Sequence, residues 1–449
     1  MRRLESGTPD FARSWRELCG RGSYEDEAAV RKVAAAIVED VRKRGDAALL
    51  EHTRKLDGWD PSSGEDLHLE KGDFARAFRS LPRDGRRALT FAAGRIRAFH
   101  ERESDAEVRS FRDGTGAMLA QVVRPLDRVG LYVPGGTARY PSSLLMTVVP
   151  ARVAGVREVV VTSPGMKGTG EVDAWTLAAC HVCGVSDLFR VGGAQAVSAL
   201  AHGTETIARV DKICGPGNAY VAAAKRLVFG RVDIDMIAGP SEILVVADRT
   251  ADPAEVASDL LAQAEHDVRA VPLLIATSAS LCDAVLAELA GQLSDLPREK
   301  IARRSLEERG ALIVARGLAE ALRLAEEFAP EHLSLQVAGA SRLVRRIARA
   351  GAVFVGRSTP EAVGDYVAGP SHVLPTAGAA RFASPLSVAT FRRRMSVLDL
   401  PPRALSALAP AVEALARAEG LLGHWRAVSV RGESVAPAHA ARKRARRRA

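Results

Sequence analysis

The sequence predicts an α/β protein built around mostly parallel sheets. Short apolar runs alternate with helical segments from VGLYV at 129–133 to NAYVAAAKRLV at 218–228. The same alternation restarts with EILVVAD at 242–248 and continues to GAVFVG at 351–356. Strands separated by helices favour a doubly wound parallel sheet that is covered on both faces. Two successive α/β layers therefore account for the middle of the chain.

The flanking segments are predicted from their periodicity. Residues 1–115 are expected to be mainly helical, because EDEAAVRKVAAAIVEDVRKRGDAALLEHTRKL and LPRDGRRALTFAAGRIRAFHERE carry apolar residues at helical spacing. We place the two α/β layers at 116–238 and 239–378. A C-terminal arm at 379–441 follows, with a long alanine-rich helix that is expected to end near Gly423.

Bulk composition limits the class of protein. The chain has 449 residues, is 47% hydrophobic and carries a net charge of +9. Most of that charge lies in the closing run RKRARRRA, so 442–449 is predicted to be a disordered basic tail. No apolar run approaches the roughly 20 residues that span a bilayer, and no signal peptide is recognisable. Five sparse cysteines are typical of reduced thiols, so a cytoplasmic protein is expected.

Glycine-containing loops punctuate the α/β layers. Ligands of open α/β sheets bind beyond the carboxyl ends of strands, and glycine lets a phosphate or sugar approach the backbone. A GxGxxG fingerprint is missing, and the nearest match, GPGNAY, lacks its third glycine. The loops therefore indicate ligand binding without identifying the ligand. They are YVPGG at 132–136, VGGAQ at 191–195, CGPGN at 214–218, AGPSE at 238–242 and AGPSH at 368–372.

The stretch from 252 to 267 predicts a well-capped helix with a polar end. Asp252 is a good N-cap, Pro253 suits the first helical position, and Glu255 can close a capping box. Gln263 and His266 are three residues apart, so both side chains are expected on one face near the end of the helix. An amide oxygen and an imidazole nitrogen there can hold a metal ion. A solvated polar helix end is the alternative.

Glu331 and His332 follow a helical run that Pro330 should interrupt. The sequence thus puts a carboxylate and an imidazole side by side at an element boundary. Histidine is a natural proton acceptor from an alcohol, and an adjacent carboxylate can activate water. For the pair in isolation, a solvated Glu–His step is the simpler alternative.

Asp365, Glu419 and His424 are further candidates for site residues. Asp365 lies ahead of a Gly-Pro turn that carries His372, and it is a suitable hard ligand for zinc beside imidazole. Glu419 and His424 lie around Gly420 and Gly423, where isolated polar residues are more typical of the surface.

Taken together, nine sequence strings make this chain resemble the histidinol dehydrogenase family. The resemblance covers about residues 25–430, and the strings occur in one order along the chain. They are VGLYVPGGTARYPSSLLM, VGGAQAVSALAHGTETI, DKICGPGNAYVAAAKR, IDMIAGPSEILVVAD, DLLAQAEHD, FAPEHLSL, GDYVAGPSHVLPT, ARFASPLSV and AEGLLGH.

The resemblance implies oxidation of L-histidinol through L-histidinal to L-histidine, with two NAD reduced in succession and one zinc ion per subunit. It implies an acid–base pair of Glu331 and His332. The implied zinc ligands are Gln263, His266, Asp365 and His424. The implied NAD contacts are Tyr132, Gln195 and Asn218. The implied substrate contacts are Ser241, His372 and Glu419, together with the zinc ligands and His332.

The resemblance also implies an architecture and an assembly. Relatives have two incomplete Rossmann-like domains and two small ones. Their C-terminal arm crosses to the partner in a homodimer, so Glu419 and His424 are expected to complete the neighbour's site. In the implied chemistry zinc positions the amino alcohol, His332 takes protons in both steps, and Glu331 activates water in the second. Glu419 would pair with a cationic group of the substrate.

The chain departs from the family pattern in a few places, none of them an implied ligand. Ser371 replaces the usual Asn, Ser334 stands where an acid is common, and Cys214 stands where an apolar residue is usual. The basic tail has no counterpart. These differences could change how the substrate is positioned in the site, but they do not put the reaction in doubt.

The sequence leaves four other interpretations to compare with this one. A family member acting on another alcohol, such as a sulfopropanediol, is disfavoured by the joint presence of His372, Glu419 and His424. A zinc hydrolase with Glu331 as base lacks support from an HExxH string. A thiohemiacetal role for Cys214 lacks a neighbour that would lower the pKa of its thiol. Nucleic-acid binding by the tail predicts that its deletion abolishes function, and neither a nucleic acid nor a membrane is expected as a partner.

Overall fold

The computed structural model describes residues 1–21, 27–103, 108–135 and 139–432. Contacts divide the chain into two compact units. The first comprises Met1–Glu103 and Leu126–Phe391, and the second comprises the described parts of Ser104–Pro125 and Arg392–Ala449. The predicted basic tail at 442–449 lies outside the described residues.

Each unit is built from short strands and helices whose bounds follow. The strands are β1 (Arg2–Glu5), β2 (His68–Glu70), β3 (Val108–Arg112), β4 (Met118–Pro125), β5 (Arg128–Tyr132), β6 (Glu158–Thr162), β7 (Asp187–Phe189), β8 (Lys212–Cys214), β9 (Asp233–Ile234), β10 (Glu242–Ala247), β11 (Val271–Ala276), β12 (Ala311–Val314), β13 (His332–Gln336), β14 (Ala352–Val355) and β15 (Arg392–Asp399). The helices are α1 (Phe11–Cys19), α2 (Glu27–Arg44), α3 (Asp46–Asp57), α4 (Lys71–Ser80), α5 (Arg83–His100), α6 (Pro141–Ala154), α7 (Ala174–Cys183), α8 (Gly193–His202), α9 (Ala219–Val228), α10 (Pro253–Ala264), α11 (Ala279–Leu293), α12 (Glu299–Glu308), α13 (Leu318–Phe328), α14 (Ala340–Leu343), α15 (Glu361–Tyr366) and α16 (Pro402–Ala418).

The first unit contains two six-stranded sheets with the same central topology. The first sheet has the order β2-β7-β6-β5-β8-β9, and only β2 runs antiparallel to its neighbour. The second sheet has the order β1-β12-β11-β10-β13-β14 and is parallel throughout. In both, the five strands that follow one another along the chain are arranged 3-2-1-4-5. This confirms the predicted pair of Rossmann-like layers.

The central strands of the second sheet are apolar on both faces, as parallel strands between helices should be. The sequences EILVVA of β10 and VPLLIA of β11 are buried at every position. Alternate residues of β10 pack into different cores: Leu244 and Val246 into one, Ile243 and Val245 into the other. The period of two along a strand produces this division.

The local signals around α10 are partly confirmed. Asp252 caps the helix by accepting from the Ala254 amide at 3.0 Å, and Pro253 opens it. The capping box expected of Glu255 is wrong, because the Glu255 carboxylate pairs with Arg357 at 2.6 Å instead. The helix ends at Ala264, so His266 lies beyond it in the loop before β11.

The flanking segments differ from the sequence expectations. The N-terminal segment is not only helical, since β1 and β2 form edges of the two large sheets. In the second unit β15, β4 and β3 form an antiparallel sheet, so the units do not divide at the predicted boundaries of 115 and 379. The arm helix α16 ends at Ala418, and after Gly420, whose φ is 72°, a separate helix covers 422–432. Among the described residues, no helix combines the length and apolar character that crossing a bilayer requires.

Candidate active site

The Glu331–His332 pair is buried at the start of β13. Helix α13 ends at Phe328, and Ala329 takes a left-handed φ of 51° that turns the chain toward the sheet. Glu331 is 6% exposed and His332 4% exposed. The solvated Glu–His step considered from the sequence is therefore wrong, and two buried ionisable groups need a functional or structural reason.

The backbone of Glu242 holds both side chains of the pair. Strands β10 and β13 are neighbours with Ile243 opposite His332. The Glu242 amide donates to Glu331 Oε2 at 2.8 Å, and the Glu242 carbonyl oxygen lies 2.8 Å from His332 Nδ1. A carbonyl can only accept, so Nδ1 carries the proton and Nε2 keeps its lone pair. His332 is thereby fixed in the tautomer that can take a proton through Nε2.

Burial shifts the two pKa values in opposite directions. Desolvation, followed by the nearby Glu242 carboxylate, raises the pKa of Glu331 well above its usual value. Desolvation lowers the pKa of His332 to about 3. The imidazole is therefore neutral at physiological pH, while the carboxylate of Glu331, once formed, is a stronger base than an exposed one.

Gln263 and Glu361 meet behind His332. The Gln263 carboxamide fits its surroundings with its nitrogen toward Glu361 Oε1 at 2.9 Å and the Glu242 carbonyl oxygen at 3.0 Å. Its oxygen is then turned away from these acceptors. Glu361 Oε1 also lies 3.4 Å from His332 Nδ1. An amide with its nitrogen held in this way presents its oxygen as a ligand atom.

Asp365 joins the same group from α15. Its Oδ2 atom lies 3.8 Å from His266 Nε2, and its Oδ1 atom lies 3.7 Å from His372 Nδ1. Desolvation raises the pKa of Asp365, and it lowers the pKa of His266 although 43% of that side chain is accessible. Both shifts favour neutral groups, and a bound cation would instead stabilise the carboxylate beside a neutral imidazole.

Glu361 is the residue that sequence reasoning missed. It lies one helical turn before Asp365, is 2% exposed, and has its pKa raised well above the usual value by desolvation. His332, Glu361 and Asp365 each offer a ligand atom within 4.8 Å of the others. The spacing Glu361-x-x-x-Asp365 in EAVGDY puts both acids on one helix face and was the available signal.

His372 connects this group to α6. Its Nδ1 donates to the Asp365 carbonyl oxygen at 2.9 Å, so its Nε2 accepts from the Ser143 hydroxyl at 3.2 Å. Desolvation lowers the pKa of His372 to about 4, which keeps it neutral. Since Ser143 belongs to a helix of the first sheet, the group lies where the two sheets' layers meet. We call Gln263, His266, Glu331, His332, Glu361, Asp365 and His372 the amino-end cluster.

The amino-end cluster lies at the amino ends of the strands, whereas ligands of open α/β sheets are expected beyond the carboxyl ends. Ser241 immediately precedes β10, Glu242 begins it, and His332 begins β13. The functional groups therefore lie at the amino ends of the strands of the second sheet. Ser241 is half-buried there, and its carbonyl oxygen accepts from the Val271 amide at 3.0 Å. Of the glycine-containing loops, AGPSE lies between β9 and β10 and leads directly into β10, and AGPSH follows helix α15 and not a strand.

The predicted NAD contacts lie at the carboxyl ends of the first sheet. Tyr132 ends β5, and its hydroxyl accepts from the Gly193 amide at 3.1 Å. Gln195 is buried in the first turn of α8, and its Oε1 has no hydrogen-bond partner within the described part of the chain. Asn218 caps α9 by accepting from the Tyr220 and Val221 amides, and it is exposed.

Two details favour a ligand at this edge. A buried carboxamide oxygen without a partner is costly unless a ligand or water satisfies it. Gly215 has a φ of 113°, and a Cβ there would lie 2.0 Å from the Tyr132 carbonyl oxygen. Only glycine therefore permits the close approach of the two loops.

Cys214, directly before Gly215, is fully buried, and desolvation raises the pKa of its thiol well above normal. Cys214 is therefore not a reactive thiol.

The remaining two predicted residues belong to the second unit. Glu419 follows the end of α16 and His424 lies in the helix at 422–432. Both side chains are exposed within that unit. The amino-end cluster therefore contains three of the four predicted zinc ligands, from the first unit alone.

Comparison with known proteins gives one consistent result. A sequence model of the histidinol dehydrogenase family matches residues 21–432. The chain is 49% identical to the histidinol dehydrogenase of Chromobacterium violaceum, over 97% of this chain and 100% of that protein. It is 46% identical to that of Sulfurimonas denitrificans, over 95% of this chain and 98% of that protein.

A solved structure agrees with the sequence relatives. The crystal structure of histidinol dehydrogenase from Elizabethkingia anophelis superposes with a TM-score of 0.90 at 32% sequence identity. The match covers 97% of this chain and 98% of that one. The structural similarity thus extends over nearly the whole chain and is not confined to one of the two α/β layers.

Proposed function

Because this chain belongs to the histidinol dehydrogenase family of oxidoreductases, we propose that it oxidises L-histidinol through L-histidinal to L-histidine, reducing one NAD in each step. The observation that carries the proposal is the buried pair at the start of β13. Glu331 and His332 are held by one backbone amide and one carbonyl of Glu242, at 2.8 Å each. A fixed proton acceptor beside a carboxylate of raised pKa suits two coupled oxidations.

The donor chemistry of the amino-end cluster fits a zinc ion. We propose Gln263, His266 and Asp365 as ligands, with His424 from the partner subunit of a homodimer as the fourth. Three neutral ligands and one carboxylate leave the metal with positive charge, and imidazole with carboxylate oxygen is a common zinc set. Glu361 is another carboxylate within reach, and its Oε2 has no hydrogen-bond partner among the described residues, while its Oε1 accepts from Gln263. We assign it to orienting that ligand.

The carboxyl edge of the first sheet fits NAD. Gln195 offers an unsatisfied buried oxygen, Tyr132 a hydroxyl and Asn218 an amide at the mouth of the loops. Helices α8 and α9 both begin at this edge, and helix N-termini favour phosphate groups. When bound, NAD would accept a hydride in each oxidation, and zinc would hold nitrogen atoms of the substrate.

The chain's own residues divide the remaining work. In the first oxidation, neutral His332 takes the hydroxyl proton of L-histidinol through Nε2. In the second, the Glu331 carboxylate takes a proton from water as the water oxygen attacks the aldehyde carbon. His332 then takes the remaining hydroxyl proton of the hydrate anion as the second hydride leaves, which yields the carboxylate of L-histidine. His332 returns its first proton to solvent before the second oxidation, and both residues return their protons to solvent before the next turnover.

The second unit supplies the proposed dimer contribution. His424 would complete the partner's zinc set, and Glu419 would pair with a cationic group of the substrate. Both side chains are exposed within their own unit, which leaves them available. All five cysteines are free, in keeping with a reducing cytoplasm, where we propose that the enzyme acts.

A stoichiometric assay tests the proposed function. Purified protein with L-histidinol and excess NAD should form two equivalents of NADH and one of L-histidine, and chelation of zinc should abolish turnover. Formation of one equivalent with release of free aldehyde would contradict the two-step reaction. A sulfopropanediol, the alternative substrate, should give no NADH above background; the relatives reported above all carry the histidinol name.

Hybrid dimers test the shared site. Variants Gln263→Ala and His424→Asn should each be inactive alone. After mixing and refolding together, about a quarter of wild-type activity should return, since half of the dimers are hybrids and each hybrid has one intact site of two. Activity that stays at the level of the single variants would show that each subunit builds its site alone.

A further inference from the structure

A buried ion pair lies directly behind the acid–base residues. Arg21 Nε lies 2.6 Å from Glu242 Oε1, and Arg21 Nη2 lies 2.9 Å from Glu242 Oε2. The two side chains are 8% and 1% exposed. Forked contacts of this kind are geometrically specific as well as strong, and in the interior they are screened little by solvent.

The pair is anchored to two other segments. Arg21 Nη2 donates to the Phe328 carbonyl oxygen at 2.9 Å, and the guanidinium carbon lies 3.2 Å from the centre of the Phe328 ring. Glu242 Oε1 also accepts from the Ala377 amide at 2.9 Å. The side chain of Glu242 is therefore held by Arg21 and Ala377, which are distant in sequence, and Arg21 is in turn held by Phe328.

The main chain of Glu242 contacts three functional side chains. Its amide donates to Glu331 Oε2, and its carbonyl oxygen faces both His332 Nδ1 and the Gln263 amide nitrogen. A small rotation of this one peptide segment would move the proposed water-activating base, the proton acceptor and a proposed metal ligand at the same time.

We propose that Arg21 and Glu242 are positioning residues of this enzyme. Their ion pair fixes the backbone at the start of β10, and that backbone sets the orientation of Glu331, His332 and Gln263. The proposal rests on the proposed function for its kinetic consequence, but its geometric part does not. Replacing a buried ion pair by apolar groups is often neutral for stability, so stability and activity can be separated here.

The experiment compares R21M, E242M and the double variant R21M/E242M with wild type. Each single change leaves a buried charge without its partner and should lower Tm. The double change removes both charges and should return Tm to near the wild-type value. Its kcat should nevertheless stay about 10²-fold low with L-histidinol and with L-histidinal, as expected for a misplacement of about 1 Å, with KM for NAD unchanged.

Two controls isolate the buried pair. The exposed pair of Arg42 and Glu39 has the same forked geometry, with both contacts at 2.7 Å, so R42M/E39M should match wild type in both Tm and kcat. E242Q keeps an oxygen for Arg21 Nε and for the Ala377 amide, so it should recover part of the activity that E242M loses.

A readout without turnover completes the test. Amide hydrogen exchange of the segment 239–247 reports the bond from the Glu242 amide to Glu331, and this amide should exchange faster in the double variant than in wild type. A double variant that regains both Tm and kcat, or whose Glu242 amide exchanges at the wild-type rate, would overturn the inference. Wild type that forms no NADH from L-histidinol would instead contradict the proposed function, and amide exchange would still decide the positioning role.

Discussion

The two large sheets share one strand order but use opposite ends of it. In the first, Tyr132 is the last residue of β5 and Asn218 lies beyond the carboxyl end of β8, and the order reverses between these two strands. In the second, Glu242 and His332 begin β10 and β13, which flank the corresponding reversal. The proposed NAD contacts follow the usual rule for open α/β sheets, and the amino-end cluster departs from it.

The polarity of the surrounding helices explains the difference. Helices α8 and α9 begin at the carboxyl edge of the first sheet, and helix N-termini carry partial positive charge that suits phosphates. Helix α10 ends at the amino edge of the second sheet, close to Gln263, and helix C-termini carry partial negative charge that suits cations. One topology thus offers an anion site at one end and a cation site at the other.

The largest effect is expected from removing the proton acceptor of the amino-end cluster. His332→Asn should lower kcat by about 10²–10⁴-fold in both oxidations, because His332 takes a proton in each. KM for NAD should change little, since the proposed nucleotide contacts lie at the other sheet. Measurement of both half-reactions, starting from L-histidinol and from L-histidinal, checks this. A loss confined to one of them would contradict the double role of His332.

A more selective effect is expected for the neighbouring carboxylate. Glu331→Gln should lower L-histidinal oxidation by about 10²-fold or more while oxidation of L-histidinol is affected far less, because water attacks the substrate only in the second step. Bound zinc, measured after gel filtration, should stay at the wild-type level and serves as the control. Equal losses in the two half-reactions would show that Glu331 acts in both.

The pKa directions give a pH difference between the same two steps. Glu331 acts as a carboxylate, so activity is present above its pKa and is lost as pH falls through it, and desolvation raises that pKa. The first step needs neutral His332, whose pKa is lowered to about 3 by desolvation. L-histidinal oxidation should therefore lose activity at a higher pH than L-histidinol oxidation. Coincident acid limbs would contradict the assignment.

The smallest effect is expected at the carboxyl edge of the first sheet. Tyr132→Phe removes the hydroxyl that accepts from the Gly193 amide and should weaken NAD binding by about 3–10-fold, the cost of one hydrogen bond. Titration of NAD against protein fluorescence measures this directly. Zinc content and KM for L-histidinol should be unchanged, and a change in zinc content instead would mean that the two sheets' sites are not separate.

Much of the fold was predictable because it is encoded locally. The run EILVVA is buried on both faces, and Asp252 caps α10 as its position suggested. The edge strands β3 (VRSFR) and β15 (RRRMSVLD) were not recognised, because they carry several arginines and bury neither face within the described chain. Their pairing is decided by long-range contacts that no local window contains.

The candidate site was predictable mainly from the resemblance. Periodicity located Gln263 near the end of a helix and Pro330 at a boundary, but it did not show that Glu331 and His332 are buried. Glu361 could have been predicted from its spacing of one helical turn from Asp365. Arg21 could not have been predicted, since it lies 221 positions from its partner Glu242 and only the folded chain brings them together.

Anomalous diffraction at the zinc edge tests the central claim, that the amino end of the second sheet is the cation site, most directly. Crystals of the zinc-loaded protein should give one strong peak per subunit, about 2.0–2.2 Å from His266 and Asp365 and within bonding distance of Gln263. A peak at the carboxyl edge of either sheet, or a peak that touches none of these three side chains, would contradict the account.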